Sequence, residues 1–253
     1  MWSRRLMNAI ILRPLAWVLI RAEVIGRERI PADGSFILMV NHCNFLDPGV
    51  AMWAMLPRQV VLFTKAKNLD LPVGGPLLRW YGVIPVERGE ADTNAMRQAF
   101  DLLKENRHIL LVAPEGTRSY HGRLLSAKDG MAFMATRADV PILPVGVSGV
   151  KTFWANVRRV RRTRVQVVIG HPFRFRGNER SRRDSLRRMT REAMYQLAAL
   201  LPPEQWGEYA DIENASEETI EFLEPGQSNL VYAQAASLRA TRAHRGRLVG
   251  ALE

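Results

Sequence analysis

Four short apolar runs constrain this chain most: Phe36–Val40, Val60–Phe63, His108–Val112 and Ile142–Val147. Each is too short for a buried helix and is followed by polar or turn-forming residues. Continuous apolar runs of that length read as strands covered on both faces. Between them lie segments with helical spacing. Pro48 suits the first turn of a helix over Gly49–Leu56, and Ala91–Asn106 carries Ala95, Ala99, Leu102 and Leu103 on one side. Ala127–Thr136 and the amphipathic Ser185–Leu201 are further helices. Val24–Ile30, closed by the turn signal Pro31-Ala32-Asp33-Gly34, adds a strand, as do Val83–Val86 and Arg164–Ile169. Leu71–Trp80, with Pro72, Gly74-Gly75 and Pro76, reads as a loop feeding a short helix. Strands alternating with helices predict an α/β fold, a largely parallel central sheet flanked by helices on both faces.

The chain has 253 residues, enough for one large domain with a substantial core. A single cysteine, Cys43, rules out an intrachain disulfide framework and fits a reducing compartment. The net charge of +11 is concentrated: between Arg158 and Arg191 stand thirteen Arg against Glu179 and Asp184. Such a face attracts polyanions, whether nucleic acid, anionic lipid headgroups or the phosphates of coenzyme A. No aromatic interleaving of the base-stacking kind accompanies it, and no nucleic-acid motif is recognisable, so nucleic acid is not the expected partner. Leu6–Ile20 is apolar over only about fifteen residues and is broken by Arg13-Pro14, whereas a span needs about twenty. With Arg4, Arg5, Arg13 and Arg21 beside Trp2 and Trp17 it reads as an N-terminal interfacial amphipathic helix, or as a helix packed on the protein's own core. No small-residue cleavage site follows it. Residues 1–23 are thus a membrane-surface segment, 24–201 the α/β domain and 202–253 a C-terminal extension. In that extension Glu204–Glu224 holds eight acidic residues and no basic ones, and Arg239–Arg247 holds four Arg. It either folds back over the basic face or extends away.

Directly after the first apolar run comes Asn41-His42-Cys43-Asn44-Phe45-Leu46-Asp47. A tight turn here would return the Asp47 carboxylate to the His42 imidazole and fix its tautomer. The other ring nitrogen would then be able to take a proton from a hydroxyl. Cys43 adjoins His42 but has no evident partner, so it reads as a small filler rather than a nucleophile. Three more blocks follow: Gly82-Val83-Ile84-Pro85-Val86-Glu87-Arg88-Gly89, Ala113-Pro114-Glu115-Gly116-Thr117-Arg118-Ser119, and Val140-Pro141-Ile142-Leu143-Pro144-Val145-Gly146. In this order the four blocks resemble the glycerophospholipid acyltransferase family, typified by bacterial 1-acyl-glycerol-3-phosphate acyltransferases, over roughly residues 24 to 200.

That resemblance implies transfer of a fatty acyl group from a coenzyme A or acyl carrier protein thioester to the sn-2 hydroxyl of 1-acyl-glycerol-3-phosphate, making phosphatidic acid. His42 would be the general base, Asp47 would orient it, and no acyl-enzyme would form, in keeping with the absence of a G-x-S-x-G elbow. Arg88 and Arg118 would hold the acceptor's phosphate and headgroup. Glu115 would accept from the glycerol hydroxyl or organise Arg118. Gly116 would allow close backbone approach near a tetrahedral oxyanion, Thr117 would shape the turn, and Lys65 would meet a substrate phosphate. Asn41 fits turn-fixing rather than chemistry. No metal or redox cofactor is implied. The setting would be the cytoplasmic face of the cell membrane, peripherally bound, with an anionic membrane surface as the partner of the basic face.

This sequence departs from the family pattern at Lys67, where an acidic residue is common. It departs also in the second block, and in a shortened or missing N-terminal helix pair. The same chemistry on glycerol-3-phosphate, another lysophospholipid or an amino-lipid therefore stays open. So do thioester hydrolysis and a non-catalytic binder of anionic membrane.

Overall fold

A computed structural model describes residues 6–72, 74–87, 92–176 and 183–233. Among the described residues nine strands form one sheet: β1 Ile20–Ile25, β2 Phe36–Val40, β3 Val60–Lys65, β4 Ile84–Val86, β5 Ile109–Val112, β6 Ile142–Ser148, β7 Thr163–Ile169, β8 Phe173–Phe175 and β9 Ile220–Phe222. Their order is β1-β7-β6-β2-β5-β3-β4, with β8 attached to β6 and β9 to β8. The pairs β2–β5, β2–β6, β3–β5, β3–β4 and β1–β7 are parallel, and β6–β7, β6–β8 and β8–β9 are antiparallel. The helices are α1 Arg13–Leu19, α2 Asp47–Ala54, α3 Gly74–Tyr81, α4 Thr93–Lys104, α5 Gly130–Ala138, α6 Phe153–Arg158 and α7 Arg183–Ala198.

The central strand β2 explains why its sequence is apolar throughout. Successive side chains of a strand point to opposite faces. Phe36, Leu38 and Val40 join one core cluster, which takes Val50, Ala51 and Ala54 from α2. Ile37 and Met39 join the other, with Ala95, Ala99 and Leu103 from α4, Met131 and Ala135 from α5, and Met189 and Ala193 from α7. All five residues of β2 are buried. Helices thus cover both faces, as the alternating pattern predicts. Asp92 starts α4 by accepting the Ala95 amide at 2.9 Å, the usual way a side chain satisfies an unpaired helix N–H.

Two placements differ from the sequence expectation, and a third answers what it left open. The first strand begins four residues earlier, at Ile20, because its register on β7 runs from Ile20 opposite Thr163 to Ile25 opposite Val168. Residues Arg27–Arg29 form a 3₁₀ turn instead of continuing that strand. Neither α6 nor the three-residue strands β8 and β9 carried a pattern long enough to read. The third concerns the acidic stretch. Trp206, Tyr209, Ile220 and Ala233 are buried in the same core as α4, α5 and α7, and β9 extends the sheet. Its carboxylates meet the basic helix, Arg191 with Asp211 at 3.1 Å and Arg188 with Glu218 at 3.5 Å. Of the two courses open for the extension, residues 203–233 follow the one that folds back. The Arg239–Arg247 group lies outside the described residues.

At the N-terminus, Asn8–Leu12 is wound as a π-helix and runs into α1. Ala16 and Leu19 pack on the core, while Ile10, Leu15, Trp17 and Val18 are exposed. Among the described residues no helix is long and apolar enough to cross a membrane.

Candidate active site

Because β2, β3, β4 and β5 are mutually parallel through their ladders, the segments that follow them emerge at one edge of the sheet. Crevices at the carboxyl ends of such strands are where α/β proteins bind ligands. His42 follows β2, Lys65 ends β3, and the Pro114–Arg118 block follows β5. Arg88, just beyond β4, lies outside the described residues.

His42 is held mainly through its backbone. The preceding residue, Asn41, donates to the Val147 carbonyl at 2.9 Å and accepts the Val147 amide at 2.8 Å, tying the end of β2 to β6. The His42 amide donates to Glu115 Oε1 at 2.9 Å, and the His42 carbonyl accepts the Ser119 amide at 2.8 Å. The next two amides, Cys43 and Asn44, both donate to Asp47 Oδ2 at 2.6 Å. Asp47 is the first residue of α2 and is wholly buried, and its Oδ1 takes no hydrogen bond from the described residues. Burial pushes the Asp47 carboxyl up to about 7 against the pull of these two amides, and the nearby Glu115 charge adds to the rise. Burial likewise pushes the Cys43 thiol up to about 11, which keeps it protonated and unsuited to nucleophilic attack.

Glu115 sits elsewhere than the sequence suggested. It is 2% exposed, and its other oxygen, Oε2, accepts the Leu125 amide at 2.9 Å. Both oxygens are therefore engaged by main-chain amides, one of them that of His42, so the carboxylate secures the loop rather than facing a ligand or Arg118. Burial raises its pKa, and these two amides lower it. Gly116 supplies backbone freedom. Its amide already donates to the Ala113 carbonyl at 3.0 Å, so what glycine supplies is a left-handed turn (φ 65°) and space. A Cβ there would press on the Lys128 chain at 3.3 Å.

Two cavities meet at His42. One, about 480 Å³, is bordered by His42, Lys65, Gly116, Thr117 and Lys128, with Met96, Met131 and Met134 deeper in. The other, about 700 Å³, has His42, Lys65, Thr117 and Arg118 at one side and Ile11, Leu12 and Leu15 of the N-terminal segment at another. Arg118 stacks over the Tyr120 ring at 5.5 Å. The structure therefore gathers His42, Lys65, Gly116, Thr117 and Arg118 around open space, with Asp47 and Glu115 buried behind. Lys128 was missed by sequence reading, which saw only a helix start there. Among the described residues no cluster of His, Cys, Asp and Glu is arranged to hold a metal ion.

His42, Lys65, Thr117 and Arg118 thus share open space at the carboxyl edge of the parallel strands, with the buried Asp47 carboxylate holding the turn that follows His42. The family model for acyltransferases matches residues 21–148, about half of the chain, and the chain belongs to that family. Among its relatives is the 1-acyl-sn-glycerol-3-phosphate acyltransferase alpha of Bos taurus, 32% identical over 157 residues, 60% of this chain and 54% of the relative. The 1-acyl-sn-glycerol-3-phosphate acyltransferase of Streptococcus pneumoniae is 27% identical over 146 residues, 57% of this chain and 53% of that one. The chain thus spans about half the length of the curated relatives it matches. A crystal structure of the 1-acyl-sn-glycerophosphate acyltransferase of Thermotoga maritima superposes with a TM-score of 0.55 at 26% identity, covering 72% of each chain.

Proposed function

We propose that this chain is an O-acyltransferase that moves a fatty acyl group from a coenzyme A or acyl carrier protein thioester to the sn-2 hydroxyl of 1-acyl-glycerol-3-phosphate, yielding phosphatidic acid. The observation that carries this is the meeting of two cavities at His42, with Lys65 and Arg118 beside it. One space suits a lipid acceptor and the other a thioester donor. His42 takes the proton of the acceptor hydroxyl as its oxygen attacks the thioester carbonyl. The tetrahedral intermediate then collapses, the carbon–sulfur bond breaks, and the departing thiolate recovers the proton from the imidazolium. Asp47 holds the turn through Oδ2, and Oδ1 is the oxygen we assign to stabilising the imidazolium. Lys65, Arg118 and, by family resemblance, Arg88 supply positive charge for the acceptor phosphate. The names of the relatives support this acceptor.

The same proposal places the protein peripherally on the cytoplasmic face of the cell membrane. Exposed Ile10, Leu15, Trp17 and Val18 form an apolar surface, and Arg13, Arg21 and Arg162 stand in a hollow beside Trp17 and Trp53. Apolar side chains next to cations are what anionic interfaces bind. A lipid acceptor entering from that side meets the cavity whose wall includes Leu12 and Leu15.

The test is transfer by purified protein from long-chain acyl-coenzyme A, and from acyl carrier protein thioester, to lysophosphatidic acid, glycerol-3-phosphate, neutral lysolipids and water. Turnover with lysophosphatidic acid as preferred acceptor is expected. Preference for another acceptor overturns the substrate, and no turnover with either donor overturns the enzyme.

A further inference from the structure

Residues 203–209 lie beyond the matched region, yet they grip the loop that positions His42. The Gln205 carbonyl accepts the Leu124 amide at 2.9 Å, and the Leu124 carbonyl accepts the Glu208 amide at 3.2 Å. Leu124 is buried between these bonds. Gly207 passes directly over it with φ 55°, and a Cβ there would lie 2.1 Å from the Leu124 carbonyl oxygen, so glycine alone permits the approach. Three residues on, the Ala127 amide donates to the Tyr209 hydroxyl at 3.2 Å. Between these two grips, the Leu125 amide reaches the other way, to Glu115 Oε2, and Glu115 Oε1 holds the His42 amide.

The Tyr209 ring meets that of Tyr195 edge-to-face at 5.5 Å, and the Tyr195 ring is itself buried in the core. Burial pushes the Tyr209 phenol up to about 12, so the hydroxyl stays neutral throughout the working range.

We propose that residues 205–209 form a positioning element for catalysis, in which Tyr209 sets the placement of Leu124–Ala127 and, through Glu115, of His42. This rests on His42 being the general base. The short path has three links: Tyr209 to Ala127, Leu125 to Glu115, and Glu115 to His42. A misplacement of the reacting groups by about 1 Å can cost about 100-fold in rate, so a small slackening of this path is readable in kcat. Tyr209 touches neither cavity, so its loss leaves substrate contacts in place.

The experiment compares Tyr209→Phe, Asp211→Asn and His42→Ala in the full-length protein by steady-state kinetics and thermal unfolding. Tyr209→Phe keeps the ring and removes only the acceptor of the Ala127 amide. We expect kcat to fall about tenfold with KM for donor and acceptor within about twofold, the split that marks a group acting only on the transition state. Asp211→Asn loosens the Arg191–Tyr195–Asp211 network on the outer side without touching Leu124–Ala127. It is expected to lower Tm while leaving kcat of the folded protein unchanged. If Tyr209→Phe is as unstable as Asp211→Asn, that variant is its stability-matched control, and equal kcat in the two overturns the proposal. Wild-type kcat in Tyr209→Phe beside an inactive His42→Ala overturns it as well. Wild-type turnover in His42→Ala instead removes the base on which it rests.

Discussion

At the scale of single residues the chemistry depends on how Asp47 is buried. Its carboxyl is raised from an ordinary value of 3.8 to about 7, chiefly because burial penalises the charge. In the proposed transfer, the ionised form is the one that stabilises the His42 imidazolium. Activity should therefore rise as pH increases through about 7 and level off above it. Stability runs the other way. Between about pH 4 and 7 the folded state binds more protons at this site than the unfolded chain, so stability falls as pH rises across that window. Asp47→Asn keeps an oxygen for the Cys43 and Asn44 amides but has no charge to titrate. We expect it to lower kcat about 100-fold, to flatten the pH–rate profile near neutrality, and to remove this share of the pH-dependence of Tm. A rate profile unchanged by the substitution would separate Asp47 from the proton transfer.

At the scale of elements, the site depends on one side chain that completes a strand pair. Where β2 ends, Asn41 continues the ladder to β6 with its amide, pairing both main-chain groups of buried Val147. Asn41→Ala leaves that N–H and C=O without partners at about 1–3 kcal/mol each. We predict a fall in Tm of roughly 5–15 °C, with kcat reduced as the end of β2 loosens, measured by calorimetry and turnover. A change of Tm within error would show that the β2–β6 pair holds without it.

The sequence made the β2, β5 and β6 strands readable because residues buried on both faces leave an unbroken apolar run. Ile20–Ile25 alternates, with Ile20, Ala22 and Val24 against the core and Arg21, Glu23 and Ile25 exposed, but its first residue also closes the Leu6–Ile20 apolar run, which hid where the strand begins. His42, Gly116, Thr117 and Arg118, which face open space at the site, were legible from their blocks, whereas Lys128 was not, because a lysine just before a helix looks like any surface cation. The backbone duty of Glu115 was not, since an acidic residue beside an arginine looks alike whether it clamps amides or meets ligand. Nor were Asn41–Val147 and Tyr209–Ala127, contacts that join residues 106 and 82 positions apart.

At the scale of the whole molecule, a two-faced sheet gives one edge to chemistry and leaves the N-terminal segment on the surface nearby. Trp17 is 72% exposed, with Arg162 over its ring at 5.8 Å. Burying such an indole in an interface is worth a few kcal/mol at most. Leu15→Ser with Trp17→Ala should therefore weaken binding to anionic vesicles by at least about tenfold, and raised salt should weaken the wild type by screening the Arg residues. Co-sedimentation measures both, and undiminished binding of the double variant would move the proposed membrane contact elsewhere.

The most direct measurement is the rate of acyl transfer to lysophosphatidic acid by His42→Ala against the wild type, at pH 8 with both proteins verified as folded. General-base catalysis by His42 predicts a loss of about 100-fold to 10,000-fold in kcat, with no acyl group attached to either protein during turnover. Transfer by the variant near the wild-type rate, or an acyl chain trapped covalently on the enzyme, would contradict it.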